Sequence, residues 1–300
     1  MPDKQPTHNV NNIGLGRKIT EKQQGRLYVV ATPIGNLGDV SQRAIQTLDS
    51  VDIIACEDTR HTKKLCRYFN IATPLTSYYR EREQEKSDAL VEMLRAGRQV
   101  ALVSDAGTPA LSDPGALLVQ KARNAGIAIE AIAGPSALTA AISIAGLTQP
   151  DFFFGGFLPS NSNERRRSLK AVSSLPFVLV YFESPHRIQA TLTDMEAILG
   201  NRHVQLFREL TKIHEECLEG SLSALSERIK TGIKGELVLV IHAAKTLHME
   251  QPENIDDLLL WHRDELQSSL KDAVSKIASD LDLPRSQVYK KALVIWHHSQ

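Results

Sequence analysis

Val100-Ala-Leu-Val-Ser-Asp-Ala-Gly-Thr-Pro-Ala-Leu-Ser-Asp-Pro-Gly115 is a buried-strand pattern that runs directly into a long loop. Residues 100–104 carry no charge, which is typical of a strand covered on both faces of a parallel sheet. The residues after them hold two Asp, two Pro and two Gly, although a connection of about two to six residues would suffice. We expect this loop to present backbone N–H and C=O groups to a ligand. The alternative is a rigid turn that binds nothing.

Three more apolar runs accompany this strand, with helical patterns between them. The helical pattern at 41–48 starts at Ser41, a favourable N-cap, and the pattern at 85–96 stops at Gly97, a favourable C-cap residue. Strands that alternate with helices predict a βαβ architecture with right-handed crossovers. The three further predicted strands are 27–31, 51–55 and 127–132.

The second half of the chain predicts another α/β domain and then a helical tail. Gly146 and Pro150 follow an Ala-rich helix and mark the end of the first domain. In the tail, Pro284 suits the start of a second helix after a tight turn, as in a helix-turn-helix; a helical hairpin that only packs on its neighbour is the alternative. The predicted parts are a disordered leader 1–25, an N-terminal α/β domain 26–146, a C-terminal α/β domain 147–244 with strands at 177–182, 204–209 and 236–242, and the tail 245–300.

Composition excludes several classes of protein. The 300 residues contain 35 Lys+Arg and 35 Asp+Glu, so the chain is not basic overall, and 42% hydrophobic residues argue against wholesale disorder. The three cysteines show no CxxC spacing, which argues against a disulfide framework or a cysteine-based metal site. No secretory signal or membrane span is visible. We therefore expect a soluble cytoplasmic protein without a metal.

The balanced charge is the sum of segregated patches. Residues 164–170 hold four basic side chains against Glu164, and no acid follows Asp282, so the second tail helix has no opposing negative charge. Basic patches of this kind fit phosphate contacts, although a solvated helix face is the alternative. The candidate phosphate-binding residues are Arg60, Lys63, Lys64, Arg67, Arg165, Arg166, Arg167, Arg187, Lys290 and Lys291.

The sequence contains eight short motifs whose order along the chain matches that of a known protein family, which makes the resemblance specific. ATPIGNLGDVSQRA, EDTR, SDAGTPALSDPG, AGPSAL, FGGFLP, ESPHR, RELTK with HEE, and KGELVLVI together resemble the tetrapyrrole-methylase superfamily, and within it the family that methylates small-subunit ribosomal RNA. The likeness covers about residues 26–242, and the tail is similar to that family's C-terminal helix-turn-helix domain.

The resemblance implies a fold, a cofactor and a reaction. It implies two α/β domains with S-adenosylmethionine in the cleft between them, a homodimer, and 2′-O-methylation of a cytidine ribose in the decoding region of 16S rRNA, within the 30S subunit. Carried over by motif, the cofactor contacts are Pro33, Ser104, Asp105, Ala106, Gly107, Leu111, Ser136, Ala137, Phe154, Gly155, and, on the adenine side, Tyr181 with Phe182, and Leu237.

The ribose hydroxyl is a weak nucleophile, so a positioned base should assist the transfer. We expect Asp105 to shape its loop, and Asp58, Glu183 and His186 to be the candidate catalytic residues. Two other functions stay open. One is a methyltransferase acting on a tetrapyrrole precursor, and the other is a non-catalytic nucleic-acid-binding protein that uses the tail.

Overall fold

The computed structural model describes residues 24–149, 151–243, 254–281 and 283–297. This part of the chain divides after Ala243 into two compact units. Both sheets lie in the first unit, and the predicted domain boundary at residue 146 falls between its fifth helix and the first strand of its second sheet. Apart from Gln24 and Gly25, the predicted leader lies outside the described residues, as do residues 245–253 of the predicted tail.

The first sheet is parallel throughout, as the continuous apolar runs predict. Its strand order is β3-β2-β4-β1-β5, so the strand of residues 100–104 is central. The N-cap role of Ser41 is confirmed, since its side chain accepts from the Ala44 N–H at 3.1 Å. The elements, in chain order, are β1 (Arg26–Val30), α1 (Gln42–Ser50), β2 (Ile53–Cys56), α2 (Thr59–Tyr68), β3 (Leu75–Ser77), α3 (Glu83–Arg95), β4 (Gln99–Val103), α4 (Ala116–Asn124), β5 (Ala128–Ile132) and α5 (Ala137–Ile144).

The second sheet is mixed. Its strand order is β6-β7-β10-β8-β9, where β6 and β7 are parallel and the other neighbours are antiparallel. The elements are β6 (Phe152–Phe157), α6 (Ser162–Val172), β7 (Val178–Glu183), α7 (Ile188–Leu199), β8 (His203–Arg208), β9 (Glu216–Ser221), α8 (Leu222–Arg228) and β10 (Leu237–Ile241).

Three strands are absent from the predicted set, and all of them lie at sheet edges. β3 is only three residues long, β6 carries two glycines and a register shift, and β9 is mostly polar. β3 and β9 lack the continuous apolar run that identifies a buried strand, whereas in β6 two glycines, which are disfavoured inside strands, interrupt the run of phenylalanines.

Helix α5 joins the two sheets. Its buried residues Leu138 and Ala141 pack with Val178, Val180 and Val238 of the second sheet in one apolar cluster. The small side chains of this helix allow a close approach to the sheet. The covalent connection between the sheets is therefore also a packed one, and the cleft described below opens beside it.

Within its described residues, 254–281 and 283–297, the second unit contains three helices, α9 (Ile255–Asp264), α10 (Leu270–Asp280) and α11 (Arg285–His297). Leu259, Ile277 and Val288, one from each helix, are buried in a common core. The predicted helix, turn and helix correspond to α10 and α11. No helix within the described ranges is both long and apolar enough to cross a membrane.

Candidate active site

A cleft of about 380 Å³ lies between the first sheet's carboxyl-terminal loops and the second sheet. This volume is in the usual range for sites that bind small molecules and cofactors. Its wall is apolar with carboxylates and backbone amides at intervals. The lining residues are Ile34, Asp105, Ala106, Gly107, Thr108, Leu111, Asp113, Ser136, Ala137, Phe157, Phe182, Glu183, Ser184, Pro185, Leu210, Gly235, Glu236, Leu237 and Val238.

The cleft contains most of the predicted cofactor loop. Asp105, Ala106, Gly107 and Leu111 line it. Ser104 lies beneath the wall, buried, and its hydroxyl donates to the Ala106 carbonyl at 3.1 Å. The predicted helix start is also present, because Ser136 and Ala137 line the cleft at the beginning of α5.

The loop is joined to the first strand by a pair of backbone hydrogen bonds. The Thr32 N–H donates to the Gly107 carbonyl at 2.9 Å, and the Gly107 N–H donates to the Thr32 carbonyl at 3.0 Å. Gly107 has a φ of 77°, and a Cβ there would lie 3.3 Å from Ile34 Cγ2. A glycine is therefore required at this point for conformation as well as for space.

Asp58 and Asp105 connect two neighbouring strand ends. The Asp58 N–H donates to Asp105 Oδ1 at 2.9 Å, so Asp105 shapes the loops as expected. The Asp58 carboxylate caps α2 by accepting from the Arg60 N–H at 2.8 Å, and it also pairs with the Arg60 guanidinium at 2.7 Å. The hydrogen bonds from Arg60 lower the pKa of Asp58.

Of the two aromatic residues Tyr181 and Phe182 expected on the adenine side, Phe182 lines the cleft and Tyr181 does not. Successive side chains of a strand point to opposite faces, and Tyr181 is 2% exposed in the core on the other face of the sheet. The predicted cofactor contact of Tyr181 is therefore wrong. Burial raises the pKa of Tyr181 to about 12. Phe182 lines the cleft and packs edge to face on Phe154, with ring centroids 5.0 Å apart.

Three other predicted contacts lie behind the wall. Pro33 precedes the lining residue Ile34, and Phe154 supports Phe182. Gly155 packs on the Tyr181 ring, where a Cβ would come within 2.2 Å of Cε1. The glycine at 155 thus serves the packing of the second sheet.

Glu183 lies at the end of β7 with its side chain 1% exposed. Its carboxylate accepts from the Ser184 N–H at 2.7 Å and from the Thr191 hydroxyl at 2.6 Å, and it pairs with Arg187 at 3.2 Å. Arg187 also donates to the Leu158 carbonyl at 2.6 Å. These contacts hold the turn that carries the exposed His186.

Two carboxyl groups that sequence reasoning missed lie near Asp105. Asp113 lines the cleft, and Glu57 follows β2. Burial, with repulsion from Asp105, raises the pKa of both carboxyl groups. Asp113 belongs to the loop that the sequence singled out, but nothing in the sequence distinguishes it from the other polar residues there.

The basic residues of α2 lie on its exposed surface. Lys63, Lys64 and Arg67 are exposed and form no ion pair within the described residues. Arg60, although paired with Asp58, is 89% exposed. The helix is attached to the cleft wall at its N-terminus through the bond between Asp58 and Asp105.

The arginine run of α6 divides into one buried and two exposed side chains. Arg165 is 4% exposed and pairs with the equally buried Asp194, so its predicted contact with phosphate is wrong. Arg166 is half exposed and pairs with the same carboxylate at 2.6 Å. Arg167 is exposed. A helix that packs on a neighbour must turn one side chain of three consecutive residues inward.

The tail residues Lys290 and Lys291 lie on α11. Lys291 pairs with Asp256 of α9 at 2.8 Å. The expectation that the second tail helix meets no opposing charge is therefore wrong, because an acid distant in sequence reaches it. Lys290 is exposed.

Comparison with known proteins identifies relatives that span nearly the whole chain. The family model described as Tetrapyrrole (Corrin/Porphyrin) Methylases matches residues 26–226. The chain is 42% identical over 278 residues to the ribosomal RNA small subunit methyltransferase I of Halalkalibacterium halodurans, covering 89% of this chain and 94% of that protein. It is 41% identical over 277 residues to the protein of that name from Escherichia coli O157:H7, covering 91% and 96%.

Solved structures share the fold at low identity. Diphthine synthase superposes with a TM-score of 0.58 at 18% identity, covering 73% of this chain and 90% of that structure. Uroporphyrin-III C-methyl transferase from Thermus thermophilus, in complex with S-adenyl homocysteine, gives 0.53 at 17% identity, covering 72% and 96%. The family match and the relatives together show that the chain belongs to the tetrapyrrole methylases and, within them, to the ribosomal RNA small subunit methyltransferase I family.

Proposed function

We propose that this methyltransferase moves the methyl group of S-adenosylmethionine to the ribose 2′-oxygen of a cytidine in the decoding region of 16S rRNA, on the 30S subunit. One observation carries the proposal. Asp105, on the wall of the ligand-sized cleft, accepts a hydrogen bond from the N-terminus of α2. Arg60 of this helix pairs with Asp58, and the other exposed cations of the helix have no ion-pair partner among the described residues. A cofactor site and a phosphate-binding surface are thereby adjacent.

The cleft has the chemistry that S-adenosylmethionine requires. The apolar side chains of Ile34, Leu111 and Phe182 suit a flat adenine ring. The Asp105 carboxylate suits a hydroxyl or ammonium group. The absence of a Cβ at Gly107 lets the ligand approach the backbone. When bound, the cofactor supplies an electrophilic methyl group.

The protein's task in the reaction is to align the ribose oxygen and to accept its proton. Asp58 is a weak base because Arg60 lowers its pKa. Glu183 is saturated with donors, and we assign it to holding Ser184 and His186 at the cleft. Asp113 lines the cleft with a raised pKa. Asp113 is thus the better proton acceptor in our proposal, and His186 remains a candidate for contact with the substrate.

RNA affinity comes chiefly from α2 and Arg167. Phosphate contacts by exposed Lys and Arg release counterions and give salt-dependent binding. Because A-form RNA hides its major groove from side chains, we expect α2 to contact backbone or single-stranded nucleotides. The same proposal includes a cytoplasmic homodimer, and sedimentation of the purified protein tests the dimer.

The decisive experiment offers labelled S-adenosylmethionine with three acceptors: 30S subunits, naked 16S rRNA, and a tetrapyrrole precursor. We expect label in the 30S arm, with primer extension at low nucleotide concentration stopping at one cytidine. Label in the tetrapyrrole arm alone would support the small-molecule alternative. Absence of transfer in every arm, with RNA still bound, would support a non-catalytic protein.

A further inference from the structure

The cofactor loop between β4 and α4 holds two residues in strained backbone conformations. Ala110 has a φ of 65° and Ser112 a φ of 73°, values that side-chain-bearing residues rarely adopt. Such conformations persist when the surrounding structure holds the segment at both ends. Ser112 also packs against β6, where a Cβ on Gly156 would lie 2.8 Å from its hydroxyl oxygen.

The first end of the loop is held at β1. Besides the paired hydrogen bonds between Thr32 and Gly107, the Thr32 hydroxyl donates to the Ser104 carbonyl at 3.3 Å. These contacts lie at the cleft and belong to the site already described. They hold residues 104–107 but not the strained residues beyond them.

The second end is held from outside the cleft by a side chain of α3. The Gly115 N–H donates to Glu83 Oε1 at 2.8 Å. Gly115 is the N-cap residue of α4 and has no side chain to cap the helix. The Glu83 carboxylate therefore accepts from the N-cap amide, as the N3 glutamate of a capping box does, and also places negative charge at the positive end of the helix.

Glu83 is itself held by a buried hydrogen-bonded chain. The Tyr78 hydroxyl donates to the same Oε1 at 3.1 Å, and Ser87 lies 2.8 Å from the Tyr78 hydroxyl. Since the Tyr78 proton is directed at Glu83, Ser87 is the donor in the second bond. Tyr78 and Ser87 are 1% and 0% exposed, so neither bond is exchanged for water at low cost.

Gly115 cannot move to find another acceptor. Its φ of 135° and the 2.7 Å distance from a built Cβ to Leu102 Cδ2 place its backbone directly against the central strand. Packing against Leu102 on one side leaves the amide little room to turn elsewhere, so its direction depends on the acceptor that Glu83 supplies.

We propose that Glu83 is a positioning residue for the methyl-transfer site, which holds the strained loop of residues 108–115 in its cofactor-binding shape through the Gly115 amide. This inference rests on the proposed placement of the cofactor in the cleft. Glu83 does not line the cleft, so its effect on binding must pass through the loop.

The test measures binding of S-adenosylhomocysteine by calorimetry together with hydrogen exchange of the loop amides. Glu83→Ala should bind at least tenfold more weakly, with faster exchange at residues 108–115. Glu83→Gln keeps an acceptor oxygen and should recover most of the affinity. Glu85→Ala is the matched control, because Glu85 lies on the same helix and its ion-pair partner is the exposed Arg82.

The outcomes separate this role from a general loss of stability. Unchanged affinity in folded Glu83→Ala, or a Gln variant as weak as Ala, would overturn the proposal. If Glu83→Ala does not fold, Tyr78→Phe removes one donor to Oε1 and should give a smaller loss of affinity in the same direction; unchanged affinity and exchange there would also overturn it.

The variant Ala137→Phe, which places a large side chain in the cleft, tests the cofactor placement separately from the role of Glu83. Loss of binding in Ala137→Phe with normal binding in Glu83→Ala contradicts the role of Glu83 alone. Normal binding in Ala137→Phe contradicts the cofactor placement, and the role of Glu83 with it.

Discussion

The backbone N–H of Asp58 donates to the Asp105 carboxylate at 2.9 Å, and this bond joins the loops after two neighbouring parallel strands. One of these loops lines the cleft, and the other begins the basic helix α2. In our proposal the first loop binds the cofactor and α2 binds RNA, so this hydrogen bond sets the distance between the methyl donor and the nucleic acid.

Asp105→Ala should weaken S-adenosylhomocysteine binding about tenfold or more. The substitution leaves the half-buried Asp58 N–H without its acceptor. An unsatisfied donor of this kind destabilises the arrangement of the two loops by about 1–3 kcal/mol. Calorimetry measures the effect. Asp105→Asn is the control, since its amide oxygen can still accept, and equal weakening in both variants would assign the loss to charge instead of to the hydrogen bond.

Gly107→Val should abolish detectable cofactor binding in a folded protein. A β-branched residue is strained at a φ of 77° and would press on Ile34, 3.3 Å away. Gly126→Val is the control, because Gly126 has a similar φ of 70° with open space around it. A folded Gly107→Val variant of parental affinity would rule out close backbone approach at this position.

Arg165 and Arg167 are two residues apart, yet we expect replacement of Arg165 to reduce stability and replacement of Arg167 to reduce RNA binding. Arg165→Ala leaves the buried Asp194 carboxylate short of a partner and should lower the free energy of unfolding by about 3–5 kcal/mol. Arg167→Ala should change stability by less than about 0.5 kcal/mol and weaken RNA binding. Urea unfolding and RNA titration of both variants decide this, and parental stability of Arg165→Ala would contradict the buried pair.

Stability of the first unit should depend on Asp194 at acidic pH. Burial raises the pKa of Asp194, but hydrogen bonds from Arg166, Ser162 and Arg165 outweigh it and hold the pKa below its ordinary value. The ionised form is therefore the native one, and its stabilisation is present above the unfolded-state pKa of about 3.9 and is lost as the pH falls through the lower folded value.

Denaturant unfolding between about pH 5 and pH 2 measures this contribution of Asp194. As the pH falls, the free energy of unfolding should decrease more steeply for the parent than for Asp194→Asn. The two slopes should differ by at most about 1.4 kcal/mol per pH unit, the value for one proton. Parallel curves for the two proteins would show that Asp194 does not titrate with unfolding.

Charge reversal of Lys63 and Lys64 should weaken RNA binding and reduce its salt dependence without affecting the cofactor. For every phosphate that the variant no longer neutralises, the negative slope of log K against log salt should become shallower by about 0.7 on single-stranded RNA. Arg95→Glu with Lys230→Glu is the control of equal charge change, since both residues already pair with acids. An unchanged slope in the Lys63 and Lys64 variant would remove α2 from the RNA surface.

Local pattern was enough to predict most of the framework. The central strands, the N-cap at Ser41 and the loop of residues 104–115 follow from runs of apolar residues and from turn chemistry, which act over a few residues. The eight ordered motifs were enough for the family. The short edge strand β3 escaped prediction because its three residues carry too little pattern.

The packed fold decided two things: the side of a helix or strand that a residue faces, and the distant group that it contacts. Arg165 differs from Arg167 because the two side chains leave α6 in different directions, one toward the buried Asp194 and the other toward solvent. Tyr181 differs from Phe182 because strand side chains alternate between two faces of the sheet. Lys291 meets Asp256, and Glu83 meets Gly115, across 35 and 32 positions of sequence. These pairings join groups far apart along the chain, and only folding brings them within hydrogen-bonding distance, where desolvation makes each contact matter.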